Sequence, residues 1–237
     1  MHRILALNSK GGSGKTTLAT NLAGYFAHKG MVTALLDYDP QGSSSKWLAE
    51  RAKRKDDIHG ITAFKTRSDL TRSWQMRAPA QAEIAIMDAP AGISGFTLTD
   101  YIQRVDTVLI PVLPSPIDIH ATAHFIEELI LVGKVRSRRV NVAVIANRVK
   151  EYTRVYKDLQ KFLNSLKLPF LTSLRDSQDY IIASEMGLSI FELDRPNVAR
   201  TQEQWAPLIQ WLESLPTRPA SQQPLNSMFP TLAGGGS

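Results

Sequence analysis

Apolar residues in this chain fall into short runs that are hydrophobic at nearly every position, separated by longer stretches in which they return every three to four positions. Continuous apolar runs suit strands covered on both faces, and the periodic stretches suit helices that do the covering. The runs predict strands over residues 4–8, 32–37, 61–65, 84–88, 107–111, 140–146 and 170–172. Helices are expected over 16–28, 44–53, 97–104, 117–135, 154–166, 180–186 and 202–215. Such alternation is the rhythm of βαβ units, so the expected class is α/β, a mostly parallel central sheet with helices on both faces. Within the last helix Trp205, Leu208, Ile209 and Leu212 form an apolar stripe that reads as a face packed on the core. No internal repeat is visible.

A chain of 237 residues, 43% hydrophobic, is long enough for one well-buried core, and a single domain is expected over 1–215. Beyond it, Pro216, Pro219, Pro224 and Pro230 with Ser221, Gln222 and Gln223 leave too little apolar surface to offset the entropy of ordering. A disordered tail is therefore expected over 216–237, its final Gly234, Gly235, Gly236 and Ser237 reading as an appended flexible linker. Cysteine is absent, which excludes a disulfide framework, a thiolate metal site and a catalytic thiol, and makes the cytosol the natural compartment. The apolar run at 4–7 is too short for a signal-peptide core or a membrane span. A net charge of +6 fits an anionic partner such as DNA, RNA or an acidic membrane face, without choosing among them.

Directly after the first predicted strand the chain reads Asn8, Ser9, Lys10, Gly11, Gly12, Ser13, Gly14, Lys15, Thr16, Thr17, and then enters a helical pattern. Glycines there let backbone N–H groups turn inward around an anion, and the helix start adds its positive end. Lys15 would reach the β- and γ-phosphates and the Thr16 hydroxyl would reach Mg²⁺. Ser9 stands where the usual phosphate loop has its first glycine, and Lys10 follows as an extra lysine. Asp37 and Asp39, two apart at the end of a strand, leave the same face at the carboxyl edge of the sheet, and Asp88 ends another run at that edge. Three carboxylates converging on a Mg²⁺-triphosphate is an arrangement that phosphoryl transfer can use.

At these residues the chain resembles the ParA/MinD family of P-loop ATPases, marked by a deviant Walker A loop with an early lysine. The likeness extends to 37–42 (Asp-Tyr-Asp-Pro-Gln-Gly), 86–90 (Ile-Met-Asp-Ala-Pro), 111–118 and 146–148, and so covers about residues 3–193. The resemblance implies Asp88 as the acid that holds a metal water, Asp37 as a more distant metal contact and Asp39 as the residue that orients the attacking water. Lys10 would reach across to the partner subunit's ATP, tying hydrolysis to dimerisation much as an arginine finger does. The loop from Lys10 through Gly11, Gly12, Ser13, Gly14, Lys15 and Thr16 to Thr17 would bind the nucleotide, while Asn147, Arg148, Arg175 and Asp176 frame adenine. ATP is favoured over GTP because residues 147–150 read Asn-Arg-Val-Lys, unlike the Asn-Lys-x-Asp guanine motif.

The family also implies slow hydrolysis stimulated by an adaptor protein and DNA, with a cargo to be positioned. A MinD-like membrane grip would need a basic amphipathic helix at the C-terminus, and 216–237 carry a single charge, Arg218, so no membrane partner is expected. Basic residues gather instead at Lys134, Arg136, Arg138 and Arg139, at Lys150, Arg154, Lys157 and Lys161, and at Arg195 and Arg200, as either solvated faces or contacts to sequence-nonspecific DNA. No DNA-reading domain is expected ahead of the first strand, so a short ParA-like form is the expectation. The expected partners are a second copy of the chain, nucleoid DNA and a ParB-like or McdB-like adaptor, the cargo being a plasmid, a chromosomal locus or, with a slight lean, a carboxysome. A nitrogenase-reductase-like enzyme would need cluster cysteines. His120 and His124 have metal-ligand spacing on a helix but lack a glutamate between them, and are set aside.

Overall fold

Residues 1–55, 57–64, 78–133, 135, 137 and 139–216 are described by the computed structural model. Seven strands, β1 (His2–Ala6), β2 (Thr33–Asp37), β3 (Ile58–Thr62), β4 (Ile84–Asp88), β5 (Thr107–Val112), β6 (Asn141–Val149) and β7 (Phe170–Arg175), form one sheet. Every pairing is parallel and the order is β3-β2-β4-β1-β5-β6-β7. Strands β2, β4 and β5 are buried at every position, which is what their unbroken apolar sequences require.

Side chains alternate across the sheet, so each strand feeds two cores. Leu5 and Leu7 face one layer with α3 (Gly95–Gln103), α4 (Pro116–Leu131) and α5 (Arg154–Ser165), through Leu98, Phe125 and Leu159. Ile4 and Ala6 face the other with α1 (Lys15–His28), α2 (Ser43–Ala52), α6 (Gln178–Glu185), α7 (Val198–Glu203) and α8 (Ala206–Ser214), and there Trp205, Leu208, Ile209 and Leu212 are buried as the stripe predicts.

Several boundaries move for physical reasons. The strand expected at 61–65 lies at Ile58–Thr62, because β2 pairs Thr33 with Ile58 and the ladder closes with Ala63 donating to the Asp37 carbonyl; Lys65 is outside the described residues. The helix expected at 117–135 ends at Leu131, before Gly133, where any side chain would meet the Leu129 carbonyl. The stretch expected as one helix at 202–215 is two, broken at Gln204–Trp205, since Pro207 has no N–H to continue a helix and fits only in a first turn. Strands β6 and β7 both run three residues past their expected ends, with irregular pairing between Ala146 and Val149. Lys134, Arg136, Arg138 and residues 217–237 lie outside the described residues.

Helix α2 is clamped at its C-terminal end. Arg51, 1% exposed, makes two bonds to Asp57 at 2.7 and 2.9 Å and two to Glu192 at 2.8 and 2.9 Å, donates to the Gly187 carbonyl and stacks on Trp47. Gly187 has a φ of +66°, and a Cβ there would fall 2.2 Å from the Arg51 nitrogen, so this crossing admits only glycine.

Candidate functional site

The chain moves from β1 outward to β2 and β3, returns to β4, and then crosses to β5 on the other side of β1, so β1 ends at a topological switch point where a crevice opens. The loop of residues 7–14 fills that point. Gly12 and Gly14 have φ of +74° and +99°, and Gly14 abuts the Asn147 amide so closely that a Cβ would lie 1.9 Å from its nitrogen. Both the conformation and the contact require glycine at 14. Helix α1 starts at Lys15 with no side-chain cap and no acidic residue in its first turn, which leaves its positive end directed at the loop.

Lys15 is 6% exposed, and its Nζ donates to the Lys10 carbonyl at 3.0 Å. Burial lowers the Lys15 pKa, and the charges of Asp88 and Asp39 partly pull it back. The Lys10 ammonium has no hydrogen bond or ion pair among the described residues, and its side chain is half-buried at the loop. Asn8, which the sequence does not single out, braces the loop from beneath. Its amide donates to the Pro111 carbonyl at 2.7 Å and its oxygen accepts from the Lys10 N–H.

Register places Asp37 directly beside Asp88 on neighbouring strands, both fully buried. Asp88 Oδ2 accepts from Thr16 at 2.8 Å and from Ser44 at 2.7 Å, while its Oδ1 is buried without a partner. Asp37 accepts from the Ser45 N–H at 2.7 Å and the Asp39 N–H at 3.1 Å. Asp39, half-buried, caps its own turn by accepting from the Gln41 N–H at 3.0 Å. Among the described residues no three acidic or histidine groups are placed to share a metal, because Asp37 and Asp39 are turned onto backbone amides. A magnesium ion fits this set only with phosphate and water oxygens completing its shell, which is its usual habit. Thr16 and the unpartnered Asp88 oxygen are the protein groups suited to it. His120 and His124 are exposed on α4, His124 standing 3.7 Å from Glu127.

Burial lifts the Asp88 pKa to about 6, with the neighbouring Asp37 charge adding to the rise and the Ser44 and Thr16 bonds opposing it. A carboxyl whose folded value lies above its ordinary value near 3.8 favours folding at low pH and loses that advantage as pH rises through 6. Asp88→Asn should therefore stabilise the nucleotide-free protein by about 2 kcal/mol at neutral pH and flatten its stability between pH 4 and 6. Urea titrations of both proteins across that range measure it, and an unchanged neutral midpoint would refute it.

Beside the loop a cleft of about 520 Å³ is lined by Gly12, Gly14, Thr17, Asn147, Arg148, Asp176, Tyr180 and Ile181 among others. Asn147 lies within β6, not in a turn after it, and donates to the Ser13 carbonyl at 2.9 Å, linking cleft and loop. Arg148, with φ +53°, extends outward and faces Asp176 at 3.5 Å. Arg175 is not brought to the cleft. It ends β7, and its guanidinium turns to Thr201 at 2.6 Å and Asp179 at 3.4 Å.

Comparison with known proteins agrees with this geometry. The family model for the CobQ/CobB/MinD/ParA nucleotide binding domain matches residues 4–190. Maintenance of carboxysome distribution protein A of Halothiobacillus neapolitanus is 28% identical over 191 residues, 80% of this chain and 87% of that protein. Protein ParA of Rhizobium radiobacter is 30% identical over 166 residues, 66% of this chain and 71% of its own. Among solved structures, a variant of Cyanothece McdA in complex with ATP has the same fold, with a TM-score of 0.66 at 15% identity over 88% of this chain and 96% of the other. The glycine loop at the switch point, the paired strand-end aspartates and the matched family model together place this chain in the ParA/MinD family of nucleotide-binding proteins.

Proposed function

We propose that this chain is an ATPase that closes into a homodimer over ATP, grips DNA without regard to sequence in that state, and so positions a cargo on the nucleoid. The observation that carries the reading is the pair of lysines on one loop. Lys15 is drawn into the loop, whereas the Lys10 ammonium has no partner among the described residues and is available to a γ-phosphate presented by a second copy. Gly11, Ser13 and Thr17 complete the phosphate cradle, and the cleft at Asn147, Arg148 and Asp176 is the natural seat for adenine. Thr16 and Asp88 would hold Mg²⁺, with Asp37 more distant; once bound, the ion neutralises charge on the phosphates. A carboxysome is the favoured cargo, because a relative covering most of the chain is named for carboxysome distribution, with plasmid partition as the second reading. A ParB-like or McdB-like adaptor would stimulate turnover.

Light scattering tests the switch. A non-hydrolysable ATP analogue with Mg²⁺ should convert monomer to dimer and ADP should not, while Lys10→Ala should still bind nucleotide through Lys15 yet dimerise poorly. A parent protein that stays monomeric under saturating analogue would refute the reading.

For DNA the exposed Lys150, Arg154, Lys157 and Lys161 offer a basic face, with Tyr152 standing 94% exposed among them. Arg195 and Arg200 are held 3.7 Å from Asp179 and Glu151. If a dimer meets about six phosphates, binding should weaken with salt at a logarithmic slope near −5, equally for unrelated duplexes. Replacing Arg154 and Lys157 by Glu removes up to four contacts from the dimer, two on each protomer, and should lower the magnitude of that slope by about 3 to 4. Preference for anionic liposomes over DNA would instead favour a membrane-gripping protein of the MinD kind.

A further inference from the structure

We infer that Ser44 is a positioning residue for the metal-holding carboxylate, fixing Asp88 so that one oxygen alone faces Mg²⁺; the inference rests on the reading of the loop as a Mg²⁺–nucleotide site. Ser44 stands in the first turn of α2, fully buried, and its Oγ donates to Asp88 Oδ2 at 2.7 Å. Thr16 Oγ1 donates to the same atom at 2.8 Å, and Oδ1 has no partner in its buried position. A carboxylate turns readily about its terminal torsion, which is broad and nearly two-fold. Two donors converging on one oxygen from different elements remove that freedom, and the remaining oxygen keeps a fixed direction.

Thr16 alone would not suffice, because its hydroxyl is also a group the metal would use. Ser44 has no such second duty. The next residue extends the arrangement, since the Ser45 N–H donates to Asp37 Oδ2 at 2.7 Å. Two consecutive residues of one helical turn thus hold both carboxylates that the β2–β4 register sets side by side. That turn follows Asp39 by a few residues, so the segment that bears the water-orienting candidate also fixes the metal acid. Outer partners of metal ligands typically contribute 10–100-fold to metal affinity.

The test is binding of a fluorescent ADP to the full chain, titrated with Mg²⁺ and repeated in EDTA, for the parent and for Ser44→Ala. The variant should require roughly tenfold more Mg²⁺ for half-maximal enhancement. Its affinity in EDTA should match the parent, showing an intact loop. An unchanged Mg²⁺ requirement would overturn the assignment. Equal loss of affinity in EDTA and in Mg²⁺ would also overturn it, since the hydroxyl would then serve only the fold. A parent protein whose binding ignores Mg²⁺ would instead overturn the metal-site reading beneath the inference, and the parent titration alone reveals that outcome.

Discussion

Arg51→Met should cost the protein about 3–5 kcal/mol, seen as a large drop in the denaturant midpoint with an unchanged slope. The reason is not the loss of an attraction but what remains. The Glu192 side chain is 2% exposed, and its carboxylate would be left with Lys55 at 2.9 Å and the Ser189 hydroxyl and N–H, without the bidentate fork that now neutralises it. Removing both charges, as Arg51→Met with Glu192→Leu, should recover much of the loss, because an apolar pair of similar bulk needs no solvation. A double variant as unstable as the single one would show that packing, and not the stranded charge, dominates.

The same network sets an acid limb. Although burial alone would raise it, the bonds from Arg51, the Ser189 backbone and Lys55 hold the Glu192 pKa down at about 2. A depressed carboxyl contributes stability above its ordinary value near 4.5, and that contribution is lost as pH falls from about 5 towards 2. The parent should show this loss and a Glu192→Leu variant should not. The consequence reaches the site, for α2 carries Arg51 at one end and Ser44 and Ser45 at the other. Loosening the clamp should therefore also weaken the Mg²⁺ dependence of nucleotide binding.

What can be read in the sequence is whatever the chain keeps local. The phosphate loop lies in ten consecutive residues, and its conformation follows from glycines and a helix start, so its place is legible from the residues alone. Strand ends carrying Asp37 and Asp88 are legible as well, but their adjacency is not, because it depends on β4 returning to lie between β2 and β1. Ser44 escapes notice for the same reason. A serine in a first helical turn reads as a cap, and only the fold brings Asp88 to its hydroxyl from forty-four positions away. Arg175 reads as a loop residue near adenine until β7 proves long enough to include it and Thr201 and Asp179 claim its guanidinium. The edge strand β3 is misplaced by pattern alone because its sequence, Ile-His-Gly-Ile-Thr, has little apolar signal of its own and takes its register from β2.

Asp39→Ala should reduce ATP turnover at least about a hundredfold while nucleotide binding and dimer formation survive. The geometry separates this residue from the other two aspartates. Asp37 and Asp88 are fully buried and fixed by donors from α2 and, for Asp88, from Thr16; Asp39 is half-buried and holds only the Gln41 N–H of its own turn. Its charge is nonetheless felt by Lys15. In the proposed reading a group so placed would act in the hydrolytic step and leave ground-state contacts to others. Asp39→Asn makes the sharper control, since its amide oxygen can still accept from Gln41 and preserve the turn while the negative charge is gone. Both variants should accumulate as DNA-bound dimers under ATP, with kcat lost and nucleotide affinity kept. Hydrolysis at the parent rate by Asp39→Asn, measured with DNA present, would place the water-orienting group elsewhere. Loss in Asp39→Ala alone would assign the effect to the turn.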